Sequence, residues 1–359
     1  MKRILFYFTL LLIVIPKNVF AINNSAHSMT VIDTDTNRIL YQKNGNEKNL
    51  IASITKIMTA VIAIESGKIN EIVEVDDTVF KAYGSGIYIK PGEEMSLLDM
   101  TYGLMLRSGN DAAMMIAKYV SGDIDKFVEA MNDKAQKIGM KNTKFCNPHG
   151  LDEECENIST SNDMALLSSY AIQNDIYKKI VSTKKYKLTT NKNTYVWNNK
   201  NKLVRTYKYT TGGKTGFTKK ARRTLVTNAS KNNLNISIVT LNDGNDFQDH
   251  KDAYVYIFKN YTKYRILNKD NFDVDNSNYE GNVYIENNYY YTIKESEKNK
   301  LSLDIKLEKN KKNIRNNIVG IVDVLFDGKV VHTENIYLKV IGDKKETGFW
   351  NKIIGWFKW

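Results

Sequence analysis

The stretch Ser53-Ile54-Thr55-Lys56-Ile57-Met58-Thr59-Ala60-Val61-Ile62 puts a serine three residues ahead of a lysine at the head of an apolar run. Ile54, Ile57, Met58, Val61 and Ile62 recur at helical spacing, and Gly67 supplies a stop. The spacing predicts a helix with Ser53 in its first turn and Lys56 one turn above it on the same face. An amine within hydrogen-bond reach of a hydroxyl is what a serine nucleophile needs where no histidine serves it. The first turn also leaves backbone N–H groups unpaired and available to an oxyanion. Alone, the segment reads more readily as a helix cap beside a solvated lysine.

Two further strings change that balance. Ser108-Gly109-Asn110 lies between helical stretches at Leu97 to Arg107 and Asp111 to Val120, where either polar residue could be a plain N-cap. Lys214-Thr215-Gly216 lies in Thr210 to Phe217, followed by β-rich runs at Thr224 to Thr227 and Leu234 to Val239, so it belongs on a strand. A strand glycine often marks close approach of a ligand or a second backbone. S-x-x-K recurs at Ser182–Lys185 and S-x-N at Ser230–Asn232. The segment after Ser182 reads as strand or loop and offers no serine–lysine helical face.

In this order and on these elements, the three strings resemble the active-site set of the penicillin-recognising serine enzymes. The likeness extends to an opening hairpin at Val31-Ile32-Asp33 and Ile39-Leu40-Tyr41. Ile87 to Glu93, Leu106 to Ala113 and Asn147-Pro148-His149-Gly150-Leu151-Asp152 resemble one subgroup, the D-alanyl-D-alanine carboxypeptidases. The resemblance covers roughly residues 28 to 260 and implies an α/β (α+β) serine β-lactamase/transpeptidase-like catalytic domain. By that resemblance Ser53 is the nucleophile, Lys56 its general base, and Ser108 a proton relay to the leaving amine. Asn110 holds the substrate amide. Lys214 and Thr215 take the terminal carboxylate, and Gly216 lets the substrate backbone approach. The N–H groups of Ser53 and Phe217 form an oxyanion hole, and His149 borders the site. The implied activity is removal of the terminal D-alanine from peptidoglycan stem peptides, with β-lactams as covalent inhibitors. A β-lactamase, a cross-link endopeptidase and a catalytically silent wall-binding protein are the alternatives on the same fold. Two departures stand out: Ala221-Arg222-Arg223 where a glycine is usual near Arg222, and Leu50-Ile51-Ala52 in place of a proline-containing approach. The first would set a bulky cation beside the site.

Residues 1–21 read as a secretory signal: Lys2 and Arg3, the apolar run Ile4 to Ile15, and Val19-Phe20-Ala21 at a cleavage site. Pro16-Lys17-Asn18 cuts the run short of a membrane span. Export to the outer face of the cytoplasmic membrane is expected. Over 359 residues the formal charge is +12, which points to anionic lipid and wall polymers rather than nucleic acid in an exported chain. Cys146 and Cys155 flank the Asn147–Asp152 string. Export permits a bond between them, but two cysteines make no framework, and the reading leans to free thiols. Metal-ligand spacing is absent, the four histidines are scattered, and no cofactor is implied.

Residues 22–262 are expected to form the catalytic domain and 263–345 a small antiparallel β domain, beginning with an Asn/Asp-rich stretch at 268–282. Leu301, Leu303, Ile305 and Leu307 alternate with polar residues and predict a half-buried strand. Asp327-Gly328 between two apolar runs predicts a two-residue hairpin. Residues 346–359 carry Phe349, Trp350, Ile353, Ile354, Trp356 and Phe357 on one helical arc. Too short to span, this tail reads as an amphipathic anchor on the membrane surface.

Overall fold

The structure is a computed structural model and describes residues 22–275, 279, 281–309 and 314–340. The expected signal at 1–21 and the expected anchor at 346–359 lie outside them. Strands β1 (Ser28–Asp33) and β2 (Ile39–Lys43) form the opening antiparallel hairpin. A helical layer follows: α1 (Lys56–Glu65), α2 (Leu97–Arg107), α3 (Asn110–Ser121), α4 (Ile124–Ile138), α5 (Ser161–Ile172) and α6 (Asp175–Ser182). The chain then returns to the sheet through β3 (Thr210–Thr218), β4 (Arg222–Lys231) and β5 (Leu234–Leu241), and closes with α7 (Asp246–Asn260). The sheet order is β2-β1-β5-β4-β3, with every neighbouring pair antiparallel.

An antiparallel sheet often leaves one face to water, but here both faces are covered. All six residues of β1 are buried for that reason. Ile32, Val226 and Val239 join the core beneath α1, α2 and α5. Met29, Val31, Ile236 and Ile238 pack against Ala253, Tyr254 and Ile257 of α7 on the other face.

Two local devices set the site. Ser96 and Asp99 form a capping box that starts α2, and Ser108 ends it in the left-handed region (φ 66°), so α3 can begin at once behind Gly109. Neither Ser108 nor Asn110 is an N-cap. Ser53 lies in a 3-10 turn, Ala52–Thr55, and α1 opens at Lys56. The expected first helical turn is thus the tighter form, which still carries Lys56 back over Ser53. Ser182–Lys185 straddles the end of α6 and the start of a strand, as its sequence suggested.

Beyond α7 come β6 (Tyr261–Leu267), β7 (Gly281–Tyr284), β8 (Tyr289–Lys294), β9 (Leu301–Leu307), β10 (Ile318–Phe326) and β11 (Lys329–Val340). They form a four-stranded sheet, β7-β11-β10-β9, and a separate β6–β8 pair. Tyr261 packs in the α7 core and Leu267 in a third core with Val283, Val322, Val324 and Ile336, so β6 carries the chain from one core to the next. Asp327 and Gly328 turn between β10 and β11 with φ of 53° and 75°, the left-handed pair a tight hairpin requires. Strand β9 departs from expectation. It is an edge strand on which Leu303 and Ile305 remain exposed, because among the described residues no layer covers that margin of the sheet. Arg38, in the β1–β2 turn, donates to the Thr292 carbonyl and to Glu297 and lies 4.2 Å over the Phe326 ring. That contact joins the catalytic layers to the β strands.

Candidate active site

The 3-10 turn, the α2–α3 junction, β3 and the loop from Cys146 to Cys155 converge on one centre. Lys56 is fully buried, and its Nζ lies 3.0 Å from Ser53 Oγ, 2.7 Å from Asn110 Oδ1 and 2.5 Å from the His149 carbonyl oxygen. The two carbonyl-type oxygens can only accept. A neutral amine therefore spends its two N–H bonds on Asn110 and His149 and aims its lone pair at the Ser53 hydroxyl. Burial, and then the charges of Lys214 and Lys200, lower the Lys56 pKa well below 10.5; Asp111 opposes them. The turn, the junction and the loop together leave the Lys56 amine placed where it could accept a proton from Ser53.

Lys214 is buried on β3 and donates to Ser108 Oγ at 3.0 Å and to the Thr215 carbonyl at 2.6 Å. Burial, then Lys200, brings its pKa down to about 7. Asn110 also donates from Nδ2 to the Tyr83 carbonyl at 2.6 Å. Gly216 is a packing requirement: a Cβ there would lie 2.3 Å from Thr224 Oγ1 and 3.0 Å from the Ser53 nitrogen. Phe217 follows it and is 61% exposed at the rim. All the residues singled out in the sequence thus come together here.

The loop enters through its backbone. Pro148 and His149 carbonyls accept from Thr59 Oγ1 and from Lys56, while Gly150 sits so close to Ala52 that a Cβ would lie 2.0 Å from its carbonyl oxygen. His149 Nδ1 accepts from the Leu151 N–H, which puts the ring proton on Nε2. Burial, then Lys56, lowers the His149 pKa to about 3, so the ring is neutral. Cys146 and Cys155 are joined in a disulfide across the base of this loop, with Cα atoms 6.2 Å apart. The leaning toward free thiols is corrected: the turn between them, closed by Asn157 on Cys146 and Asn147, brings residues nine apart into bonding range.

A cleft of about 590 Å³ opens on Ser53, Ser108, Thr215, Gly216 and Phe217, and beyond them on Ser85, Lys200, Lys202, Arg223, Asp246 and Phe247. The cation beside the site is Arg223 and not Arg222. Arg223 pairs across the strands with Phe217, lines the cleft and is held by Asp246 at 2.6 Å; both arginines are exposed, but Arg222 does not line the cleft. Arg222 takes φ 60°, a conformation a glycine would adopt freely. Lys200, Ser85 and Asp246 carry no short motif, and only strand register and loop packing bring them to the cleft. Among the described residues, no group of three or more His, Cys, Asp or Glu side chains could hold a metal, and no helix is long and apolar enough to cross a membrane.

Comparison with known proteins agrees with this geometry. A family model described as D-alanyl-D-alanine carboxypeptidase matches residues 16–245. The carboxypeptidase DacF of Bacillus subtilis is 37% identical over 217 residues, which is 59% of this chain and 56% of that protein. DacA of Haemophilus influenzae is 27% identical over 370 residues, 92% of this chain and 88% of that one. The crystal structure of penicillin binding protein 5 from Haemophilus influenzae superposes with a TM-score of 0.72 at 25% identity, over 89% of this chain and 97% of that one. With a family model matching well over half of its residues, the chain belongs to the D-alanyl-D-alanine carboxypeptidase family of serine peptidases.

Proposed function

We propose that this chain is a serine D-Ala-D-Ala carboxypeptidase that removes the terminal D-alanine from peptidoglycan stem peptides through an acyl-enzyme on Ser53. The observation that carries the reading is the Lys56 amine, stripped of water and offered two acceptors and one hydroxyl. Ser53 Oγ attacks the carbonyl carbon of the penultimate D-alanine while its proton passes to Lys56. The N–H groups of Ser53 and Phe217 receive the oxyanion. Thr215 and protonated Lys214 hold the terminal carboxylate, and the Asn110 amide holds the substrate amide. As the tetrahedral centre collapses, the C–N bond breaks and the proton held by Lys56 passes through Ser108 to the leaving amine, which returns Lys56 to its neutral form. Water, deprotonated by Lys56, then attacks the ester, and the acid product leaves with Ser53 restored. A β-lactam fits the same sequence, its carboxylate on Thr215 and its lactam carbonyl at Ser53.

Export through residues 1–21 and attachment of residues 346–359 to the membrane surface, facing the wall, complete the proposal. The apolar run with its basic head and the aromatic tail with its lysines support both. Intact-mass and peptide mapping of protein treated with a penicillin tests the acyl-enzyme. One covalent adduct on the peptide bearing Ser53 is expected, and an adduct elsewhere, or none, would overturn the role given to Ser53.

A further inference from the structure

The Cys146–Cys155 loop carries no helix or strand between the Lys144–Ile158 bridge partners, yet it supplies one of the two acceptors that orient Lys56. A connected path runs from the disulfide to that acceptor. Asn147 Nδ2 lies 3.6 Å from Cys146 Sγ and 3.4 Å from Cys155 Sγ. Its Oδ1 accepts from the His149 N–H at 3.2 Å and from the Gly150 N–H at 2.7 Å. His149 then presents its carbonyl to Lys56, and Gly150 locks against Ala52 beside the nucleophile. Farther along, Asp152 accepts from Thr218 Oγ1 and, through its backbone, from Lys220. Both cysteines are half-buried and therefore within reach of a small reductant, and Glu153, Glu154 and Glu156 line the exposed side.

We propose that the Cys146–Cys155 disulfide is the clasp that positions the His149 carbonyl beneath Lys56, and that its reduction by a dithiol turns down acylation of Ser53. The inference rests on the reading of Ser53 and Lys56 given above. In the step itself the S–S bond breaks, two cysteine thiols form, and the dithiol gives up two electrons and two protons as it closes to its own disulfide. Opening the clasp returns chain entropy to the ten-residue loop, and the acceptor under Lys56 is lost with it. Water then reaches an amine otherwise faced by Lys214 and Lys200, by Asp111, and by the neutral His149 ring. Rehydration favours the ammonium, so the acid limb of acylation moves to higher pH.

The test uses the full chain purified without reductant, then treated with dithiothreitol and desalted before a fluorescent penicillin is added. The oxidised protein should hold no free thiol and acylate Ser53. The reduced protein should keep its far-ultraviolet circular dichroism, acylate about 10–100-fold more slowly, show the alkaline shift of the limb, and recover on reoxidation. Cys146→Ser with Cys155→Ser should match the reduced protein and ignore dithiothreitol; if that variant does not fold, reduced wild-type protein decides. Equal rates and equal limbs in the two redox states would overturn the clasp alone, as would free thiols in untreated protein. Loss of the circular dichroism signal on reduction would overturn it too, by making the bond a support of the whole fold. Absence of acylation in oxidised protein would instead remove the role of Ser53, and the clasp with it.

Discussion

Burial, and then the neighbouring charges of Lys214 and Lys200, keep the Lys56 amine neutral at a pH where a solvated lysine is charged. A general base works only when deprotonated, so acylation rises as pH climbs through the depressed Lys56 pKa. Lys200 repels both buried lysines. Lys200→Gln should let both pKa values rise and move the acid limb of penicillin acylation to higher pH, by up to about one unit. Stopped-flow acylation across pH 5 to 10 reads this directly, and a limb that stays put or moves to lower pH would contradict the electrostatic account. Ser53, Lys56, Ser108, Asn110 and Lys214 were legible in the sequence because each sits in a short string with a fixed local geometry. Lys200 and Arg223 were not, since no local pattern marks them. Arg223 faces the cleft through its register opposite Phe217, and that register is a property of the folded sheet.

At the scale of the element, the loop and the 3-10 turn are fitted to each other through backbone contact. Gly150 has φ +88° and lies against the Ala52 carbonyl, and Ala52 itself has φ 48°. Gly150→Ala combines a backbone clash with a disfavoured φ. It should cost about 1–3 kcal/mol of stability and slow acylation more than that loss of folded protein explains. Urea unfolding beside acylation rates of the folded fraction separates the two effects. Wild-type acylation by the folded variant would show that the loop does not set the nucleophile. Helix α2 and strand β3 were predicted almost to the residue, because their apolar spacing and bounding polar residues agree. The 3-10 start of α1 was not, as helical periodicity does not tell a three-residue turn from the first turn of an α-helix. The exposed face of β9 escaped for a related reason: alternation fixes which residues share a face, and only the arrangement of layers decides whether that face is covered.

Across the whole molecule, the catalytic layers and the β strands meet at Arg38, which serves the Thr292 carbonyl, Glu297 and the rings of Tyr291 and Phe326. No cleft residue touches this junction. Arg38→Ala should therefore leave acylation within about twofold of wild type, given the usual independence of distant sites, while hydrogen exchange quickens in β8 and β10. Faster exchange spreading instead into α1 and β3 would mean that the two parts fold as one cooperative unit. A small β assembly after the catalytic layers was legible from alternation and from Asp327-Gly328, whereas its joint to the β1–β2 turn was not, because the Arg38 guanidinium is remote in sequence from Thr292, Glu297 and the rings it meets. The central claim concerns the reaction itself, and the most direct measurement is D-alanine release from a peptide ending in Lys-D-Ala-D-Ala, by the wild-type chain and by Ser53→Ala. Release by the wild type that disappears in the variant is the predicted result. Release that persists in Ser53→Ala, or no release from either protein, would contradict it.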